Sequence, residues 1–324
     1  MQIYLRPTPG PIQPIRPLGV GAPSVIRSWI AVGPAPASIH RFTRRLPLKI
    51  YRTETGLCAE ANGEFRVLAG GLDLDPLFAS ADPADFAATA YARGRPAAAP
   101  TRLLAPLQSQ EVWAAGVTYL RSRVARVAES KDAGGAAFYD KVYEAARPEL
   151  FFKATPHRVA EPGGIVRIRA DSRWNVPEPE LVLALNSRGA IFGYAIGNDM
   201  SSRDIEAENP LYLPQAKVYD RSAALGPCLL VRSAPLEPST EISIVIRRAG
   251  QAVFSGATSI DRIKRSFPEL ASYLYRSNRF PHGCYLMTGT GVVPPDAFTL
   301  QVGDEVAITI AAIGTLTNVV GLSD

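Results

Sequence analysis

From residue 48 onward, short apolar stretches alternate with turn residues at close intervals. Residues 48–53, 57–61 and 65–68 have strand length, and Thr55–Gly56 and Asn62–Gly63 between them are tight-turn pairs. Residues 82–91 open as a helix, with Asp82 as cap and Pro83 in the first turn. Residues 93–106, rich in Ala, Pro and Arg, read as a linker. Helical spacing returns at 119–129 and 136–146, on either side of Gly134–Gly135. After Pro148 the pattern changes to strands: 150–153, 166–169, 181–186, 191–196, 229–232, 242–248, 251–255 and 306–310. Residues 259–276 form the one clear late helix. Regular alternation of strand and helix is missing, which argues for an α+β fold over a doubly wound parallel sheet. The glycine clusters at 19–23 and 289–294 are too short and wrongly placed for a dinucleotide fingerprint.

Composition narrows the function classes. The chain has 324 residues and is 47% hydrophobic, enough for a sizeable core. No apolar run approaches the length of a membrane span. Three distant cysteines (Cys58, Cys228, Cys284) form neither a zinc spacing nor a disulfide framework. They point to a reducing, cytoplasmic compartment. The net charge of +5 suggests nucleic acid, yet residues 1–47 hold six arginines, nine prolines and no acid. Removing those six leaves 29 basic against 30 acidic residues, so no basic nucleic-acid face is expected. Residues 1–47 read as an irregular extension, 48–106 as a small N-terminal domain with linker, and 107–324 as a catalytic domain.

Chemistry concentrates in Trp174–Leu185. Residues two apart in a strand share a face, so Glu178 and Glu180 project together. Five apolar residues follow, as in a strand buried on both sides. Two carboxylates in such company repel and lose hydration, costs that a divalent cation offsets. A solvated strand start is the plain alternative. Asp199 follows the strand-like stretch 191–196; if that stretch pairs with 181–185 around Ser187–Gly189, Asp199 returns to the same mouth. Three carboxylates without a nearby histidine specify Mg²⁺, with Mn²⁺ or Ca²⁺ as substitutes. His40, His157 and His282 sit in contexts that suit surface or packing roles.

Residues 177–183, 193–204 and 215–227 resemble the signature of the fumarylacetoacetate hydrolase superfamily. The run Glu206-Ala-Glu-Asn-Pro-Leu-Tyr-Leu-Pro-Gln-Ala-Lys217 and the stretch 143–156 are similar to its 2-keto-3-deoxy-pentonate dehydratase branch. The resemblance covers residues 111–316 and implies a β-rich roll of mixed sheets, Mg²⁺ held by Glu178, Glu180 and Asp199, and a homodimer or homotetramer. It also implies Glu149 as the base that removes a C3 proton; beside Leu150, Phe151 and Phe152 its carboxylate is in apolar company. Lys217 is implied as a fixed positive charge at the substrate, and Thr290, between Gly289 and Gly291, as a further catalytic contact. Lys153, Ser201 and Arg203 are expected in substrate-binding or orienting roles.

The hydrolases of the superfamily carry Asn-Tyr-x-x-His-x-x-Glu, a pair that activates water. Here the stretch begins Thr118–Tyr119, with Ser122 and Ala125 at the His and Glu positions, so a water-activating base is lost. The leading expectation is Mg²⁺-dependent dehydration of a 2-keto-3-deoxy pentonate, a small 2-oxo acid, to 2-oxoglutarate semialdehyde. The alternatives are hydrolysis of a 2,4-diketo acid, decarboxylation or tautomerisation of an oxo-acid, or a metal-stabilised binding protein.

Overall fold

A computed structural model describes residues 46–69, 72–120 and 141–323. Four N-terminal strands, β1 (Leu48–Thr53), β2 (Gly56–Ala61), β3 (Glu64–Val67) and β4 (Arg95–Ala97), frame two helices, α1 (Leu74–Ala79) and α2 (Pro83–Arg93). As expected, the Asp82 side chain caps α2, accepting from the Asp85 N–H, and Pro83 opens it. The chain continues through β5 (Glu111–Gly116), β6 (Glu149–Ala154), β7 (Val159–Ala160), β8 (Ile165–Ile168), β9 (Asn175–Leu185) and β10 (Ile191–Ser202). Two short helices follow, α3 (Arg203–Glu208) and α4 (Leu213–Lys217). Then come β11 (Ala223–Val231), β12 (Glu241–Arg248), β13 (Gln251–Ser259), α5 (Phe267–Leu274), β14 (Cys284–Met287), β15 (Glu305–Ile310) and β16 (Gly314–Leu322).

The strands form two mixed sheets. Eleven make the larger, in the order β4-β3-β2-β1-β11-β10-β9-β14-β5-β6 with β7 beside β11; the smaller runs β13-β12-β15-β16-β8. Leu181, Leu183, Ile196 and Met200 on one face of the large sheet pack with Ile242, Ile244, Val306 and Ile308 of the small one. On its other face, Val182, Ala184 and Ala195 pack with Leu74, Leu77 and Phe78 of α1 and with Ile50 and Leu57. That double coverage explains the unbroken apolar run in β9, where all eleven residues are buried.

The strands of segment 48–106 continue the large sheet, β1 pairing with β11 in the register Ile50 to Leu229. Several expectations need correction. The late helix is shorter than its pattern. Residues up to Ser259 are the end of β13, paired across to Glu241, and the helix starts only where Ser266 caps Glu269 and Pro268 fixes the first turn. Strands β9 and β10 run longer than expected, because Pro177 and Pro179 are accommodated within β9 opposite Met200 and Asn198. Strand β14 and helix α1 are too short to stand out in the sequence. The helical stretches expected at 119–129 and 136–146 fall largely outside the described residues, as does most of the N-terminal extension.

Candidate metal and substrate site

The β9–β10 hairpin turns at Asn186–Ala190 and brings Asp199 directly opposite Glu178, with Gly197 opposite Glu180. Glu178 and Glu180 continue the row of Val182 and Ala184, so the strand's alternation aims both carboxylates to one side. Ligand atoms of Glu178, Glu180 and Asp199 lie within 4.8 Å of one another, and all three residues are buried. Asp199 therefore sits inside β10, not after it.

Three cations surround the trio. Lys217 ends α4, and its Nζ donates to Glu178 Oε2 at 2.7 Å, Asp199 Oδ2 at 3.0 Å and Ser201 Oγ at 2.5 Å. Lys153 Nζ lies 2.6 Å from Asp199 Oδ1 and donates to the carbonyls of Met200 and Lys217. Arg203 opens α3; its Nη2 donates to Glu178 Oε1 at 2.8 Å and its Nε lies 3.8 Å from Glu206 Oε2. Burial pushes the Lys153 ammonium below its ordinary range, with Asp199 opposing the shift and Lys217 adding to it.

Glu180 stands outside these ion pairs. One oxygen accepts the Gly289 N–H at 2.6 Å. Burial, followed by the charges of Asp199 and Glu178, raises its pKa well above the usual carboxylate range. Counting the buried groups, four carboxylates (Glu178, Glu180, Asp199, Glu206) meet three cations (Lys153, Lys217, Arg203). A hard divalent cation among the three oxygens relieves the strain on Glu180 and leaves a local charge of +1, suited to a monoanionic ligand. The donor set thus fits Mg²⁺.

Above the carboxylates opens a cleft walled by Ala115–Val117 at the end of β5, by Phe151 of β6 and by Gly289–Val293 after β14. Glu149 and Phe151 lie two apart on β6 and project to the same side. Glu149 pairs with Gly116, and a Cβ at Gly116 would fall 2.1 Å from Glu149 Oε2. The missing side chain is what lets that carboxylate lie over the strand end.

Residues 111–321 match the family model described as fumarylacetoacetate (FAA) hydrolase C-terminal. The chain belongs to the fumarylacetoacetate hydrolase family. Within it, the chain is 50% identical over 214 residues to a "Probable 2-keto-3-deoxyxylonate dehydratase" of Haloferax volcanii, covering 66% of this chain and 73% of the relative. It is 44% identical over 218 residues to the "2-dehydro-3-deoxy-D-arabinonate dehydratase" of Saccharolobus solfataricus, with the same coverage of 66% and 73%. A solved structure of a 2-keto-3-deoxy-D-arabinonate dehydratase in its apo form superposes with a TM-score of 0.73 at 34% identity, covering 86% of this chain and all of the other. A second, complexed with magnesium and 2,5-dioxopentanoate, gives 0.72 at 33%, covering 86% and 99%.

Of the residues singled out in this family member's sequence, Glu178, Glu180, Asp199, Arg203, Lys217 and Thr290 line one cleft. Glu149 reaches its wall at Gly116. Ser201 is buried beneath, donating from Oγ to the Asp199 carbonyl at 3.1 Å. Lys153 is wholly buried behind Asp199 and does not line the cleft. Thr290 donates to the Val292 carbonyl at 3.0 Å, which fixes the turn that carries it. Ser122 and Ala125 lie outside the described residues. His157 is exposed, and His282 sits 3.5 Å from Asp75, away from the trio. Sequence reasoning missed Gly116, the Gly289 N–H and Glu206. Only Glu206 left a signal, an acid three residues after Arg203 at the start of a helix.

Proposed function

We propose that the chain is a Mg²⁺-dependent hydro-lyase that converts a 2-keto-3-deoxy pentonate to 2-oxoglutarate semialdehyde, which is 2,5-dioxopentanoate. The observation that carries this reading is the buried Glu178–Glu180–Asp199 trio at the floor of a cleft whose wall at Gly116 is packed by Glu149, in a chain 50% identical over 214 residues to a named probable dehydratase. Glu178, Glu180 and Asp199 would hold Mg²⁺, which would supply Lewis acidity to a bound 2-oxo acid and ease loss of a C3 proton.

Glu149 accepts that proton. It packs against Gly116 at the cleft wall, separate from the three ligands. Lys217, tied to Glu178, Asp199 and Ser201, is a fixed positive charge where negative charge develops, and no reorganisation is needed to place it. Arg203 holds Glu178 and adds a second charge at the cleft floor. Loss of the C3 proton and of the C4 hydroxyl, which leaves as water after protonation, gives an alkene between C3 and C4. Moving one proton from C5 to C3 gives the C4–C5 enol, and moving the enol O–H proton to C4 yields the C5 aldehyde, so the net change is loss of one water. Thr290 and the backbone around it offer polar contacts to the bound acid.

The exposed Ile165, Val302, Val319 and Leu322 beside the small sheet support a homo-oligomer, dimer or tetramer. The buried free thiols of Cys58, Cys228 and Cys284 support a cytoplasmic setting. Among the described residues, no helix is long and apolar enough to cross a membrane.

The test is incubation of the metal-free protein with both enantiomers of 2-keto-3-deoxyarabinonate, with and without added Mg²⁺, followed by detection of products. Mg²⁺-dependent semialdehyde from one enantiomer is expected. Cleavage of a diketo acid into two shorter acids, with the sugar acids untouched, would assign the cleft to hydrolysis.

A further inference from the structure

The peptide unit joining Thr288 to Gly289 is held at both ends. Its N–H donates to Glu180 Oε2 at 2.6 Å. Its carbonyl, on Thr288, accepts from the Thr118 hydroxyl at 2.6 Å. A trans peptide is planar, with C=O and N–H pointing in opposite directions, so fixing the oxygen fixes where the hydrogen points. Among the described residues no ion pair is made to Glu180, unlike Glu178 and Asp199, so this N–H is its main polar hold there.

The unit is otherwise easy to turn over. Gly289 has φ +91°, in the region where glycine alone moves freely, and rotation of the peptide plane needs changes only at its flanking dihedrals. A turned-over unit would aim a carbonyl oxygen at the Glu180 carboxylate, replacing a donor by a repelling dipole. Contact closes the opposite side: a Cβ at Gly289 would lie 2.0 Å from Thr118 Oγ1. The hydroxyl therefore sits against the hinge itself.

Thr118 is well supported for such a task. It is buried, and its own carbonyl accepts the Lys264 N–H at 3.0 Å. Val117 before it holds φ +52°, a costly conformation for a β-branched residue, which persists only where the surroundings fix it. Thr288 is anchored on the far side, its N–H and its hydroxyl both donating to the Leu181 carbonyl at 3.0 and 2.9 Å. Leu181 directly follows Glu180.

We propose that Thr118 is a positioning residue for the metal site: its hydroxyl locks the Thr288–Gly289 peptide with the N–H on Glu180, and so holds that carboxylate in the orientation that receives Mg²⁺. This inference rests on the reading of Glu178, Glu180 and Asp199 as the Mg²⁺ ligands. Thr118 touches neither ion nor substrate; it acts through one peptide plane.

Calorimetric titration of the metal-free full chain with MgCl₂ tests it. Thr118→Val keeps the shape and removes the hydroxyl, and is expected to weaken Mg²⁺ binding about fivefold, the fold-change equivalent of about 1 kcal/mol for one net hydrogen bond. Thr118→Ser keeps the hydroxyl and is expected to bind within about twofold of wild type. Hydrogen exchange at the Gly289 amide is expected to accelerate in the valine variant and not in the serine variant. Should the valine variant fail to fold, Thr118→Ala removes the same hydroxyl without adding bulk. Wild-type Mg²⁺ affinity in the variant lacking the hydroxyl overturns the proposal while leaving the metal site standing. Equal weakening in Thr118→Ser assigns the effect to packing and also overturns it. A wild-type chain that binds no Mg²⁺ overturns the metal reading itself, and the role of Thr118 with it.

Discussion

At the scale of single residues, Glu180 is where burial and charge conflict most. Its folded-state pKa is raised, so between the ordinary value of 4.5 and that raised value the folded metal-free chain keeps a proton that the unfolded chain releases. Raising pH across this window therefore costs folded-state stability. Mg²⁺ requires the ionised carboxylate, so it competes with that proton. The thermal stabilisation given by a fixed excess of Mg²⁺ is expected to grow as pH rises from about 4.5 toward neutrality. Thermal melts with and without Mg²⁺ across that range check the sign, and a gain that shrinks with pH would remove Glu180 from the metal site. The spacing Glu-x-Glu made the shared face of Glu178 and Glu180 legible, because strand alternation is local. The ion pairs of Lys153 and Lys217, and that of Arg203 with Glu178, were not, since each joins residues well separated in sequence and a lysine in isolation reads as a solvated side chain.

At the scale of elements, the pairing of β5 with β6 sets the base. Gly116 faces Glu149, and the hypothetical Cβ overlap of 2.1 Å is with the far end of a flexible side chain. Gly116→Ala is thus expected to move the carboxylate and leave the backbone in place. Misplacing a reacting group by about 1 Å costs on the order of 10²-fold in rate. Turnover is expected to fall by about that factor, with Mg²⁺ affinity and melting temperature close to wild type. Steady-state kinetics beside a thermal melt reads both, and unchanged turnover would detach Glu149 from the chemistry. The sequence showed β6 and the turn at Asn62–Gly63 through apolar pattern and turn chemistry. It understated β9 and β10, because prolines within β9 read as strand breakers until the pairing with β10 is known. It overstated the late helix, because the apolar spacing at 259–266 suits the end of a strand as well as a helical turn.

At the scale of the whole molecule, the small sheet on one face and α1 on the other bury the β9–β10 hairpin, and that burial is what makes a cation worth binding. A rigid, doubly covered hairpin holds Asp199 against Glu178, while the connections after β5 and β14 form the walls around the ligand. This division places precision in the sheet and recognition in the loops. The pairing of β1 with β11 joins segments far apart in sequence, which no local pattern reveals.

The central claim is that Mg²⁺ on the trio and a proton transfer to Glu149 together remove water from a 2-keto-3-deoxy sugar acid. Glu149→Gln keeps the shape and some hydrogen bonding but cannot accept the C3 proton, and loss of a positioned base costs about 10²–10⁴-fold in rate. The decisive measurement is the turnover of 2-keto-3-deoxyarabinonate by Glu149→Gln at saturating Mg²⁺, with C3 hydrogen exchange followed in deuterated water. A fall of that size in both, with Mg²⁺ affinity retained, is the predicted result; turnover at the wild-type rate would contradict the account.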